Sequence, residues 1–139
     1  MRIFGGINAL SGVAVAAISH FFNCSDDGKF MTLASGMQTP MKCYWSAQAE
    51  LAVGVSLFAL GILLMVSRSG EAARALSIGS MVLGAFAILI PTLLIGVCTD
   101  MTASCNLIMR PAMVLFGGLV MATSLWSLLA SRSRPEVAL

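Results

Sequence analysis

Four apolar stretches, each about twenty residues long, leave this chain few ways to fold. They run over residues 3–22, 47–66, 75–97 and 112–130, and none contains Lys, Arg or Asp. A helix needs roughly 20 mostly apolar residues to cross about 30 Å of hydrocarbon. Membrane strands would be shorter and would alternate polar with apolar positions, which these runs do not. Of 139 residues, 58% are hydrophobic and only 10% charged, against about 25% charged in an ordinary soluble domain. A soluble fold of this size leaves too much surface in water to hide such a composition. The chain is therefore expected to be an all-α integral membrane protein, with residues 1–139 forming one four-helix transmembrane bundle.

The first run resembles a signal peptide in its basic start, Arg2. Its apolar core is longer than the usual stretch of about 7–15 residues, and no clean A-x-A site follows that core before Cys24. It reads as a retained helix. The charges then predict the orientation. Arg2, Arg68, Arg74, Arg132 and Arg134 would share one side; Lys29, Lys42 and Arg110 would share the other, beside Asp26, Asp27 and Asp100. The positive-inside rule places the first set, and both termini, in the cytoplasm. The expected location is a bacterial cell (inner) membrane, with the lipid bilayer as the first partner. The net charge of +2 is too small and scattered for nucleic acid, and no basic stripe interleaves with aromatics.

On that topology the two outer segments, residues 23–46 and 98–110, hold all four cysteines. Cys24 and Cys43 flank the first segment; Cys98 and Cys105 flank the second. An even number of cysteines on an oxidising face reads first as disulfides. The simplest of three pairings is Cys24–Cys43 with Cys98–Cys105, which would brace each extracytoplasmic loop; a link between the loops is also open. Two other chemistries compete. Four-helix membrane oxidoreductases also carry two outer cysteine pairs, but their active pair is typically C-x-x-C, and this chain has none. A soft metal such as Cu(I) would suit thiolates and thioethers, with His20, Met41, Cys43, Met101, Cys105 and Met109 as candidate ligands. Methionine also fills irregular apolar gaps, so metal binding is the alternative rather than the first expectation. No cofactor is expected.

Glu50 is the one carboxylate within a span, about one turn inside the second run and two residues after Gln48. A charge at membrane depth is costly and marks a candidate site. By depth its expected partners are His20, Lys42 and Arg110. Asn8 could join helices by hydrogen bonding, and Tyr44, Trp45 and Trp126 suit interfacial belts. Small residues (Gly5, Gly12 and Ala16; Gly54 and Gly61; Ser80 and Gly84; Gly117 and Gly118) should let helices approach, either within the bundle or against a partner. Pro91 is expected to kink the third span. No Ser-His-Asp set, phosphate loop or carboxylate pair is present.

The segment Met41-Lys42-Cys43-Tyr44-Trp45-Ser46-Ala47-Gln48-Ala49-Glu50, and the later run Cys98…Cys105-Asn106…Arg110-Pro111, resemble the small bacterial membrane family catalogued as domain of unknown function 4418. The resemblance covers nearly the whole chain. Many members would carry His where this chain has Tyr44, so a metal role at that position does not transfer. The family has no established activity. In setting it resembles small partners of ABC transporters of the macrolide-exporter type. The expected function is a non-enzymatic accessory subunit of such an assembly, bound to a membrane-protein partner or a second copy. The alternative is an extracytoplasmic thiol-redox or Cu(I)-handling protein.

Overall fold

A computed structural model describes residues 2–22, 30–40, 42–97 and 104–132. Helix α1 covers Arg2–Phe21, α2 Lys42–Val66, α3 Gly70–Leu89 and α4 Arg110–Arg132. A π-turn, π1, extends α3 over Ile90–Leu94, and a second, π2, leads into α4 over Cys105–Met109. The four resulting helical stretches are long and apolar enough to cross a membrane.

Three of them begin before the apolar run that announces them. α2 starts at Lys42 rather than 47, α3 at Gly70 rather than 75, and the fourth stretch at Cys105 rather than 112. Hydropathy marks the middle of a span, whereas backbone hydrogen bonding continues into its polar flanks. The short turn from α2 to α3 is closed by Ser69, whose side chain accepts from the Ala72 N–H at 3.3 Å and caps the new helix. Between α1 and α2 lies a small antiparallel hairpin that the sequence pattern did not announce, with β1 over Phe30–Thr32 and β2 over Gln38–Pro40. Met31 pairs with Thr39, and the turn bends at Gly36, whose φ of 79° suits glycine.

Both π-turns have a proline beside them. Pro91 has no N–H, so the regular bond to the Ala87 carbonyl cannot form. The backbone widens instead: Ile95 and Gly96 both donate to the Ile90 carbonyl at 3.1 Å. The Thr92 hydroxyl donates to the Ile88 carbonyl at 2.5 Å, and the helix stops at Gly96, φ 77°. At α4 the ring of Pro111 would press on the carbonyl four residues back, and π2 relieves that crowding; here the Arg110 N–H reaches back to Cys105.

The helices alternate in direction, so Arg2 and Arg132 lie at one end and the β-hairpin at the other. α1 and α2 meet backbone to backbone. A methyl group on Gly12 would sit 2.5 Å from the Phe58 nitrogen and 2.7 Å from the Gly54 carbonyl oxygen, and one on Gly61 2.5 Å from the Ala9 nitrogen. α3 and α4 approach in the same way, where a methyl on Gly117 would meet the Gly84 carbonyl at 2.7 Å. In lipid no hydrophobic drive pulls helices together, so this closeness supplies the dispersion contact that does. Polar cross-links fasten the end that bears the termini. Asn8 donates to Ser124 at 3.4 Å and accepts from Thr123 at 2.9 Å, tying α1 to α4. Ser77 donates to Ser127 at 3.1 Å, tying α3 to α4. Leucine, valine and phenylalanine cover the outward faces, as at Leu10, Leu63, Phe86 and Leu115. Trp45 and Trp126 stand exposed near opposite ends.

Gly12→Leu should destabilise the bundle by about 3 kcal/mol or prevent its folding, since neither neighbouring backbone can retreat far. Gly118→Leu, where an added Cβ meets nothing within 4 Å, should leave stability nearly unchanged. Reversible unfolding in mixed detergent micelles compares the two; equal losses would show that α1 and α2 are not in this contact.

Candidate functional site

α2 buries one face along most of its length: Cys43, Ser46, Ala47, Glu50, Val53, Gly54 and Leu57 follow one another toward the middle of the bundle. Because the helix starts at Lys42, Glu50 is deeper than its place in the apolar run implied. It lies eight residues past Lys42, or about 12 Å along the axis. Its side chain is 0% exposed, and neither carboxylate oxygen has a hydrogen-bond partner among the described residues. Ser46, one turn nearer the hairpin end on the same face, is equally buried, and its hydroxyl is equally unpartnered. Three polar atoms without partners are thus stacked along one helix face, in a structure that satisfies Asn8, Ser77 and Ser124.

Two apolar clusters bracket this polar pair. Toward the hairpin end, Cys43 and Ala47 pack with Val15, Cys105, Met109 and Met113. Toward the middle, Val53 and Leu57 pack with Ala87, Ile90 and Val120. The first cluster gathers four sulfur-bearing residues from α2, π2 and α4. Cys105, Met109 and Met113 recur at helical spacing, and each is 0% exposed.

The expected partners of Glu50 do not reach it. His20, Lys42, Gln48 and Arg110 all lie on the exposed surface. The reason is helical phase: each projects from a face turned away from the buried side of its own helix. His20 instead packs edge-on against Phe21, with ring centroids 5.2 Å apart. The expected polar set therefore reduces to Glu50, with Ser46 added.

The cysteines also rearrange. Cys43 is disulfide-bonded, while Cys24 and Cys98 lie outside the described residues. Cys105 forms no disulfide with another described residue, and the expected Cys98–Cys105 brace falls on Cys98, outside the described residues. Cys105 belongs to the first turn of a helical stretch and points into the sulfur cluster, not to a surface loop. Of the candidate metal ligands, Cys43, Cys105 and Met109 come together, His20 stays outside the cluster, and Met41 and Met101 lie outside the described residues. No group of three His, Cys, Asp or Glu that could hold a metal occurs among the described residues. Ser46 and Met113 were missed from sequence. Their signal was spacing alone: four residues before Glu50 and four after Met109.

The family described as Domain of unknown function (DUF4418) matches residues 8–130. The chain belongs to that family. The DUF4418 match takes in Ser46, Glu50 and the whole sulfur cluster, together with the main part of all four helices. No curated protein and no solved structure matches the chain.

Asn8→Ala and Ser46→Ala should move stability in different directions. The first removes two hydrogen bonds between helices, one buried and one part-buried, and should cost about 1 kcal/mol. The second removes a buried hydroxyl that has no partner among the described residues and, in sodium-free buffer, should be neutral or slightly stabilising. Unfolding midpoints of both variants in one detergent mixture check this. A clear loss at Ser46→Ala would show that the hydroxyl has a partner.

Proposed function

We propose that this protein is a non-enzymatic accessory subunit of a larger membrane assembly, of the ABC-transporter kind. It would sit in a bacterial inner membrane with both termini cytoplasmic. The observation that carries the reading is Gly118. The glycines at 12, 54, 61, 84 and 117 are each filled by a neighbouring backbone of the same chain, but a Cβ at Gly118 would meet nothing within 4 Å. Ala122, one turn further along α4, is exposed on the same side. Large apolar residues border the pair: Leu115 before it, Leu119 between its members and Leu125 after it. A small-xxx-small step left open on a lipid-facing helix is the shape against which another transmembrane helix packs closely. Gly6 of α1 and Gly79 of α3 each meet a single side-chain atom within 4 Å, whereas Gly118, in the middle of α4, meets none, so α4 offers the most open close-approach face. A bridge from Cys43 to Cys24 would brace the hairpin segment that leads into α2, giving that end of the protein a fixed shape for a partner.

The test is co-purification in a mild detergent, followed by substitution. A larger membrane partner should be recovered with the wild-type chain. Gly118→Leu with Ala122→Leu should lower that recovery by about tenfold, equivalent to about 1.4 kcal/mol, while leaving the unfolding midpoint in place. Recovery of a lone monomer under several gentle conditions counts against the reading.

The sulfur cluster favours a second reading, in which the protein handles Cu(I) or exchanges disulfides. Cys105, Met109 and Met113 offer soft ligands around a buried point. Protein purified anaerobically with copper would then retain about one Cu(I) per chain, and Met109→Leu with Met113→Leu would release it. Copper-free protein whose Cys43 bridge resists mild reductant excludes this alternative.

A further inference from the structure

We propose that Glu50 and Ser46 form a buried oxygen site that binds and releases one small monovalent cation, a proton or a sodium ion, from the hairpin end of the bundle. The inference is independent of the docking face on α4. It starts from the concentration of unpartnered atoms. Buried polar groups are nearly always hydrogen-bonded, yet both oxygens of Glu50 and the hydroxyl of Ser46 have no partner and share one face of α2. An isolated carboxylate charge in apolar surroundings costs far more than a bundle of this size can absorb. Something must neutralise it, and the described cations at this end do not: Lys42 and Arg110 are exposed. An apolar side chain of similar volume would fill the position with no such cost. The place is thus built for an occupant that is not a side chain.

The chemistry of the site narrows that occupant. All three available atoms are oxygens, which suit a hard cation rather than a soft one. The charge available is a single carboxylate, which balances one positive charge and no more. The direction of access follows from the neighbours. Ser46 stands one turn from Glu50 toward the hairpin end, where the cover is the sulfur cluster of Cys43, Cys105, Met109 and Met113 beside π2, whereas Val53, Leu57 and Leu64 close the other direction within regular helix, so entry from the hairpin end requires the sulfur cluster to move. Both interruptions of regular helix hydrogen bonding, Ile90–Leu94 and Cys105–Met109, lie on neighbouring helices toward that same end. π-turns of this kind recur at functional sites because the local backbone has alternative bonding.

Among the described residues, the other ionisable groups at this end are few. α1 contributes His20 and α2 contributes Lys42, Cys43 and Tyr44, while π2 and α4 contribute Cys105 and Arg110. α3 and π1 contribute no ionisable residue at this depth. Only Cys43 and Cys105 are buried, and Cys43 is in a disulfide.

The experiment uses the full chain in proteoliposomes and dicyclohexylcarbodiimide, which reacts with protonated carboxyl groups in apolar settings, with adducts mapped by mass spectrometry. The labelling rate of Glu50 is followed from about pH 5 to about pH 9, with sodium chloride or choline chloride as the salt. A fall of about tenfold or more with rising pH, indifferent to sodium, identifies the occupant as a proton. A comparable fall on replacing choline by sodium at fixed pH identifies sodium. In parallel, the unfolding midpoint of the wild type should respond to the same variable, and that of Glu50→Gln should not. Labelling that is flat in both series, or absent, shows a sealed and inert carboxyl and overturns the proposal. Should Glu50→Gln fail to fold, the labelling series decides alone.

Discussion

The contact between the backbones of α1 and α2 is the constraint from which the rest of the structure follows. At Gly12, Gly54 and Gly61 the two helices are closer than any side chain permits. A bilayer offers no hydrophobic reward for hiding apolar surface from lipid, so association depends on dispersion contact and interhelical hydrogen bonds. With one pair of helices locked this closely, the angular position of α2 is set. Its Cys43–Ser46–Glu50–Leu57 face must then turn toward α3 and α4. Gly54 and Gly61 stand on that same stripe, four and eleven residues past Glu50, so the contact that seats α2 in the bundle also turns Glu50 inward.

The bundle treats its polar residues in two ways. Toward the end that bears Arg2 and Arg132, Asn8, Thr123 and Ser124 form a network, and Ser77 reaches Ser127. These groups lie between helices that face one another, so each finds a partner across the gap. In the other half, Ser46 and Glu50 lie between two clusters of aliphatic and sulfur side chains and find none. Across the regular part of the bundle these links are made, with Ser80 of α3 the one buried hydroxyl there that lacks a partner among the described residues. The half containing both π-turns, the sulfur cluster and the hairpin holds the unpaired carboxylate, and any chemistry of the molecule concentrates there.

Much of this was legible in the sequence. The four spans, the role of Asn8, the break at Pro91 and the close-approach glycines could all be read from residue type and spacing, because each expresses a local rule. Glu50 was legible as a candidate for the same reason, since a carboxylate in an apolar run stands out. Its partners were not. His20, Lys42 and Arg110 lie at similar depth, but depth says nothing of which way a helix face turns, and all three turn outward. The hairpin escaped notice because its strands are three residues each, too short to show alternation. Cys105 was placed on a loop because apolar composition, and not backbone bonding, was used to mark the helix start.

Composition and the four long apolar runs therefore determined by themselves that the chain forms helices of membrane-spanning length. Hydropathy and helical rise are properties of a single segment, so no other part of the chain need be known. Tertiary structure alone decided which residues meet. Whether Glu50 finds Lys42, Arg110 or no partner depends on the rotation of each helix about its axis. That rotation is set by where glycines on two different helices allow their backbones to touch.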